Sequence, residues 1–189
     1  MEKVDKSVVN RSFSATVEHY QQLRRIAYQI TEKNFHALGV KLQEISYGNA
    51  VEGDQWSKKW AAHEKQASWS WVAAYDNYQA KNACKRFDAA LFSGGCLCAL
   101  CYGVPTKKKL SLKIHLLARN PLDNPLSGHT LTIILFAAFA YARLLGCKEV
   151  LLCEPMNERL AGKYQERGFS PHRNRMGVVT YLSARLSYD

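Results

Sequence analysis

The sequence lacks the features that mark secreted, membrane and low-complexity proteins. Residues 1–12 are polar and contain no apolar core of a secretory signal, and no run of 18 apolar residues is present. No internal repeat or low-complexity linker interrupts the 189 residues. We therefore expect a single cytoplasmic domain that makes no contact with a membrane.

Acidic residues are scarce relative to basic ones. Sixteen Asp and Glu stand against 26 Lys and Arg, which gives a formal net charge of +10. A surface of this charge attracts anionic partners by long-range electrostatics. A CoA phosphate group, a nucleic acid and an acidic protein all satisfy that condition, and the charge does not distinguish among them.

Three closely spaced cysteines lack the further ligands that a zinc site would need. Cys96, Cys98 and Cys101 are closely spaced, but on a strand Cys96 and Cys98 share one face while Cys101 points to the other. No nearby histidine or fourth cysteine completes a tetrahedron. The expectation is therefore reduced core cysteines and no metal.

The first third of the chain has helical periodicity. Apolar residues recur at helical spacing over 14–30, which predicts an amphipathic helix, and the apolar positions of 35–45 extend it past Gly39 in this prediction. A second helix is predicted to begin at a capping Asp54 and to pass through a stretch with four tryptophans, Trp56, Trp60, Trp69 and Trp71. These tryptophans either pack the helices on a sheet or line a pocket, and both interpretations stay open.

The rest of the chain alternates between strands and one long helix. Five apolar runs have the length and composition of strands: 87–92, 96–102, 110–117, 149–154 and 178–186. The first two flank Gly94-Gly95 and predict a hairpin. The run 131–145 is too long for a strand and predicts a helix. The predicted fold class is α/β, with a hairpin leading into a mixed sheet that carries helices on both faces.

The loop before the long helix has the composition of an anion site. Ser127 is a good helix N-cap, and Gly128 lets the backbone approach a ligand closely. The N–H groups of Gly128, His129, Thr130 and Leu131 would then point out of the helix start. A phosphate is the expected ligand, although a Ser-Gly pair can also do no more than cap and turn.

The segment after the fourth strand run carries the most specific pattern, Pro155-x-Asn157-x3-Ala161-x2-Tyr164-x3-Gly168-Phe169. It resembles the second cofactor motif of the GNAT superfamily of acetyl-CoA-dependent N-acetyltransferases. The resemblance extends over about residues 85–185 of this chain. The pyrophosphate signature of that family falls on Leu126, His129 and Leu131, where its glycines and its basic or amide side chain are absent.

The resemblance implies a GNAT-like fold with a mostly antiparallel central sheet and acetyl-CoA as co-substrate. It implies that Asn157 binds the cofactor, and that backbone groups near Leu117 and Arg119 pair with the pantetheine arm and polarise the thioester carbonyl. One domain is expected, with a helical part, 1–84, on the acceptor side and a cofactor-binding core, 85–189.

Three residues are candidates for proton transfer. Tyr164 shares a helical face with Asn157, and a phenol is still protonated at pH 7, so the resemblance implies that Tyr164 protonates the leaving thiolate. His115 and Glu154 lie at the carboxyl ends of the two central strands, where either is a candidate base for the amine. His115 could equally be a hydrogen-bonded sheet histidine, and Glu154 a solvated strand end.

The function expected from these residues is direct acetyl transfer from acetyl-CoA to an amine. The sequence does not identify the acceptor, which could be a small molecule, a protein or a nucleic acid, and it leaves a homodimer open. One alternative is a GNAT-like domain that has lost turnover and binds an anionic partner such as nucleic acid; another is a basic acyltransferase that modifies nucleic acid or tRNA-borne groups. Arg173, Arg175 and the lysines at 107–109 are expected to attract such a partner.

Overall fold

The computed structural model describes residues 6–56, 69–80, 84–153, 155 and 158–187. The helices in these ranges are α1 (Lys6–Asn34), α2 (Tyr47–Trp56), α3 (Trp71–Ala80), α4 (Thr130–Leu144) and α5 (Glu158–Gln165). The strands are β1 (Val40–Gln43), β2 (Phe87–Ser93), β3 (Cys96–Pro105), β4 (Ser111–Arg119), β5 (Glu149–Cys153), β6 (Ser170–Arg173) and β7 (Val179–Arg185).

The strands form one mixed sheet in the order β1-β2-β3-β4-β5-β7-β6. Only β4 and β5 pair in parallel among the described strands, and the other pairs are antiparallel. A parallel pair needs a crossover connection, which α4 supplies. The crossover places the start of α4 after the carboxyl end of β4. The predicted mixed, mostly antiparallel sheet is confirmed.

Helices cover both faces of the sheet, as predicted. On one face α1 packs against α4, and the core between them and the sheet includes Phe87, Ile133 and Tyr141, each fully buried. On the other face α2 and α3 lie over the first strands, with Trp56, Trp71 and Tyr102 at the centre of a second core. In the first half of β4, Ser111, Leu112 and Ile114 are buried, whereas the second half of the strand is partly buried or exposed.

The predicted extension of the first helix through 35–45 is wrong. A short 3₁₀ turn, His36–Leu38, ends at Gly39, whose φ of 60° is in the left-handed region that glycine adopts without strain. The chain then enters β1, where burial alternates from residue to residue. Apolar side chains at every second position form one face of a strand. The helical prediction for 35–45 did not take this period of two residues into account.

The predicted start of the second helix at Asp54 is also wrong. Asp54 lies inside α2, and its carboxylate reaches across to cap α3, where it accepts the backbone N–H groups of Trp71 and Val72, the latter at 3.3 Å. The hydroxyl of Ser70 donates to the same carboxylate at 2.6 Å. Asp54 therefore caps α3 and not the helix that contains it. Trp60 lies outside the described residues.

A buried ion-pair network joins α1 to the start of β2. The guanidinium of Arg24 contacts Glu44 at 2.8 Å and Asp88 at 3.3 Å, and Arg86 contacts Asp88 at 3.3 Å. Arg24 and Asp88 are 1% and 0% exposed, so both charges are removed from water. Burial raises the pKa of Asp88, and the two arginines oppose that rise. Such a network stabilises the fold only while every partner is present.

The cysteines behave as packing residues in the described part of the chain. Cys98 and Cys101 are fully buried, and the Cys96 thiol donates to the carbonyl of Asp123 at 3.5 Å. Within the described ranges no three His, Cys, Asp or Glu side chains are grouped so that they could hold a metal ion. The helices of these same ranges include none that is long and apolar enough to cross a bilayer.

Candidate functional site

A cleft forms where the two parallel strands separate. β4 and β5 are paired from Ser111–Glu149 to Ile114–Leu152, after which β5 ends while β4 continues to Arg119. The cleft has a volume of about 40 Å³. Its lining comes from the two strands, from Pro155 after β5, from α5 and from the segment before α3: Trp69, Ile114, His115, Leu117, Leu152, Cys153, Pro155, Leu160 and Tyr164.

His115 reaches this cleft because β4 is bulged. The register of β3 and β4 shifts between Tyr102, which pairs with Leu116, and Gly103, which pairs with Ile114. His115 is therefore the extra residue of a β-bulge, a feature that bends a strand and redirects a side chain. A Cβ at Gly103 would lie 2.8 Å from the backbone oxygen of Lys113, so the close approach of the strands there requires glycine. His115 is exposed.

Tyr164 enters the same cleft from α5. Its side chain is 5% exposed and packs edge-on against Phe169, with ring centroids 6.1 Å apart. Burial raises the pKa of the Tyr164 phenol, so the hydroxyl keeps its proton at neutral pH. Tyr164 and His115 are thus brought together. The third proton-transfer candidate, Glu154, and the predicted cofactor ligand Asn157 lie outside the described residues.

Among the described residues, the pairing of β4 with β5 does not extend beyond Ile114. Leu117 and Arg119 pair with Cys101 and Ala99 of β3 on one side, whereas the pairing with β5 stops at Ile114. Leu117 lines the cleft, and Arg119 is exposed at the end of the strand. The position predicted for pantetheine is therefore a strand edge that faces the cleft.

The prediction that Ser127 caps the long helix is wrong. α4 begins at Thr130, the residue before it is His129, and no side chain caps this end. The carbonyl of Leu126 instead accepts the N–H groups of His129 and Thr130, both at 2.9 Å, together with the Thr130 hydroxyl at 2.8 Å. Two of the four N–H groups that were expected to face a phosphate are therefore occupied.

Other N–H groups at this helix start remain open. Within the described ranges, no acceptor pairs with the N–H of Gly128, Leu131 or Thr132. Gly128 has a φ of 86°, which its neighbours in the loop could adopt only with strain. Sequence reasoning missed a cation here: Arg167 Nε lies 3.5 Å from the Thr132 hydroxyl, and the same guanidinium donates to the carbonyl of Lys163 at 2.7 Å.

A groove adjoins the cleft on the other side of β4. It has a volume of about 400 Å³, and its described lining comes from α3, from the residues before it and from β4: Trp69, Ser70, Ala73, Ala74, Asn77, Tyr78, His115 and Leu116. Trp69 and His115 line both concavities. Sequence reasoning left a pocket role for the tryptophans open, and of the three described tryptophans only Trp69 lines the cleft and the groove.

Comparison with solved structures identifies this arrangement. A dodecameric spermidine N-acetyltransferase of Vibrio cholerae superimposes with a TM-score of 0.55 at 14% identity, over 78% of this chain and 94% of that one. Ard1 of Thermoplasma volcanium gives 0.57 at 12% identity, over 79% and 99%. A ribosomal-protein alanine N-acetyltransferase of Escherichia coli gives 0.55 at 12% identity, over 79% and 96%. The chain has the GNAT fold.

At this level of identity the GNAT fold is what the likeness shows. No protein-family model matches the sequence, and no curated protein sequence matches it either. Among the positions aligned with the pyrophosphate signature, Leu126 is a buried core residue whose carbonyl anchors the turn. The open amides lie at one signature position, Leu131, and at Gly128 and Thr132 near it.

Of the basic residues expected to attract an anion, some already make contacts within the protein and others are exposed to solvent. Arg173 is paired with Glu158 at 3.0 Å and donates to the carbonyl of Gly177. The Lys109 ammonium lies 5.1 Å from the centre of the Tyr20 ring. Arg175 is exposed, as are the first two lysines of the 107–109 turn.

Proposed function

We propose that this chain is an N-acetyltransferase that moves an acetyl group from acetyl-CoA directly to an amine. The observation that carries the proposal is the shared cleft: His115 and the buried Tyr164 line it at the point where β4 and β5 separate. In this proposal His115 accepts a proton and Tyr164 donates one. N-acetyltransferases with the same fold support the general activity.

Acetyl-CoA has a site of suitable chemistry beside that cleft. The open N–H groups of Gly128, Leu131 and Thr132, at the positive end of the α4 dipole, bind the pyrophosphate, and Arg167 supplies the cationic side chain. The edge of β4 near Leu117 and Arg119, beyond its described pairing with β5, binds the pantetheine arm through its backbone. His129 and Thr130 form the turn before the helix, and Ser127 is exposed in that turn. Asn157 is also proposed as a cofactor ligand.

The chemistry requires two proton transfers. His115 accepts a proton from the amine as its nitrogen forms a bond with the acetyl carbon, and Glu154 is the alternative base. The thioester C–S bond then breaks, and Tyr164 gives its hydroxyl proton to the departing sulfur. Because the raised pKa of Tyr164 keeps the phenol protonated at neutral pH, the donor is ready before the sulfur leaves.

Thermal unfolding in the presence of acetyl-CoA tests this function. A ligand at about 100 times its Kd adds about 2.7 kcal/mol to the free energy of unfolding, which raises the Tm by roughly 5 to 10 °C for a chain of this size. Acetyl-pantetheine, which lacks the pyrophosphate, is the matched control and should produce a much smaller shift. An unchanged Tm at millimolar acetyl-CoA would exclude the proposal.

A second candidate is a domain that binds an anionic partner without acetyl transfer. The net charge of +10 and the exposed Arg175 favour it. If the partner is nucleic acid, affinity must fall steeply with salt because counterions are released on binding. Salt-dependent retardation of RNA or DNA, combined with no release of CoA thiol from acetyl-CoA, would favour this candidate over the first.

A further inference from the structure

The groove beside the cleft presents aromatic rings in a fixed arrangement. The Tyr78 ring stacks on Tyr102 with centroids 4.5 Å apart and an angle of 4° between the ring planes. Trp69 meets Trp71 edge-on at 6.4 Å, and Trp71 also contacts Tyr102 at 5.8 Å. Trp71 and Tyr102 belong to the second core, so core side chains hold the rings of Trp69 and Tyr78 that line the groove. Rings that are already fixed by packing lose little conformational entropy when a ligand binds.

The described lining of the groove carries no carboxylate and no Lys or Arg. The nearby carboxylate of Asp54 accepts the Ser70 hydroxyl and caps α3, so its charge is already engaged. A polyamine carries several ammonium groups, and each must exchange its hydration for a carboxylate or a comparable acceptor. The net charge of +10 adds long-range repulsion against a polycation.

Trp69 also provides a polar anchor. Its indole N–H is buried, and no described residue accepts a hydrogen bond from it. A ligand with an acceptor atom on its ring could satisfy this donor, because buried polar groups are normally paired. Trp69 shares both concavities with His115, so a ligand that lies against the indole places its amine next to the proposed base.

We propose that the acceptor is a primary amine carried on a flat aromatic body without a second positive charge. Its ring lies against Trp69 and Tyr78, and its amine lies at His115. This inference rests on the proposed acetyl transfer, and it assigns to this chain an acceptor class different from the polyamine named for the similar Vibrio cholerae enzyme.

Three amines test the assignment by their kcat/KM in an assay of CoA thiol release. They are 2-phenylethylamine, its saturated analogue 2-cyclohexylethylamine, and spermidine. Phenylethylamine should exceed cyclohexylethylamine by roughly 3- to 10-fold, the size of a specific ring contact beyond area burial, and spermidine should be the poorest acceptor. Equal values for the two ring amines, or a preference for spermidine, would overturn the inference while leaving acetyl transfer intact.

Binding without turnover separates the inference from the proposed function. Phenylethylamine should bind, by titration calorimetry, more tightly than cyclohexylethylamine even if no acetyl group is transferred. If neither turnover nor a Tm shift with acetyl-CoA is seen but this difference in Kd persists, the groove assignment stands and the acetyltransferase proposal fails. If turnover occurs without this difference in Kd, the groove assignment fails alone.

Two variants locate the binding site. Trp69→Leu removes the indole and should raise the Kd of phenylethylamine about tenfold. Ala73→Leu keeps a good helix former on α3 but fills the groove, so it tests the same site if the first variant folds poorly. Gln79→Leu, at an exposed α3 position outside the groove lining, is the matched control. A Kd that Ala73→Leu leaves unchanged would contradict the assignment.

Discussion

His115 of β4 and Tyr164 of α5 line the same cleft, although one lies before the α4 crossover and the other after it. The bulge on β4 turns the histidine into the cleft, and the packing of α5 buries the tyrosine at its wall. The proposed amine acylation needs two proton transfers, and these are the two side chains proposed to carry them out.

Replacing Tyr164 by phenylalanine should abolish most turnover. The ring stays packed against Phe169 while the hydroxyl is removed, so kcat should fall by roughly 10² to 10⁴, the usual contribution of a positioned general acid. The Kd of acetyl-CoA and the Tm should change little. Tyr181→Phe, at an exposed tyrosine of β7, is the control. An unchanged kcat in the Tyr164 variant would show that its hydroxyl is incidental.

Replacing Arg167 by alanine should weaken acetyl-CoA binding. Its guanidinium lies beside the open amides of α4, and loss of a charge-assisted contact to a pyrophosphate raises the Kd by roughly tenfold. Arg143→Ala, at an exposed position in the last turn of the same helix, should have no such effect. Acetyl-pantetheine should bind both variants equally. A Kd for acetyl-CoA that is the same in both variants would remove Arg167 from the site.

Replacing Arg24 by methionine should strongly destabilise the fold. The change leaves Asp88 buried with one arginine instead of two, and breaking a buried pair costs about 3 to 5 kcal/mol, or roughly 6 to 20 °C in Tm. Arg25→Met changes an exposed neighbour on the same helix and should alter the Tm by no more than a degree or two. Equal Tm values for the two variants would contradict a structural role for the network.

The buried tyrosines should make stability fall at alkaline pH. Burial raises the pKa of five phenols, that of Tyr78 to about 12, and the group comprises Tyr28, Tyr78, Tyr102, Tyr141 and Tyr164. Because each folded pKa lies above the ordinary value of about 10, their contribution to stability is complete below that pH and is lost as pH rises through the folded values.

Phenolate absorbance and circular dichroism, measured together during an alkaline titration, test this behaviour. While the dichroism stays native, these five phenols should not contribute to the phenolate absorbance near pH 10. Their absorbance should appear together with unfolding. Ionisation of all ten tyrosines in a single step near pH 10, before unfolding, would contradict the burial of these phenols.

Local patterns predicted the sheet and the long helix, but not the connections between them. The hairpin at Gly94-Gly95 and the α4 run were correctly predicted because apolar periodicity and turn residues act within a few positions. β1 was missed because its four residues are too few to establish a period of two against the adjacent helix. The cap that Asp54 provides was assigned to the wrong helix because the capped N–H groups follow it by 17 and 18 positions.

The sequence by itself determined the fold class and proposed the motif that contains Tyr164, because alternation and helical spacing report which face of an element is apolar. Tertiary structure decided the geometry of the site. The bulge that carries His115 lies where Gly103 of β3 pairs with Ile114 of β4, and the cation beside α4 comes from Arg167, in the turn after α5. Such contacts arise only when distant segments pack together, so no local pattern encodes them.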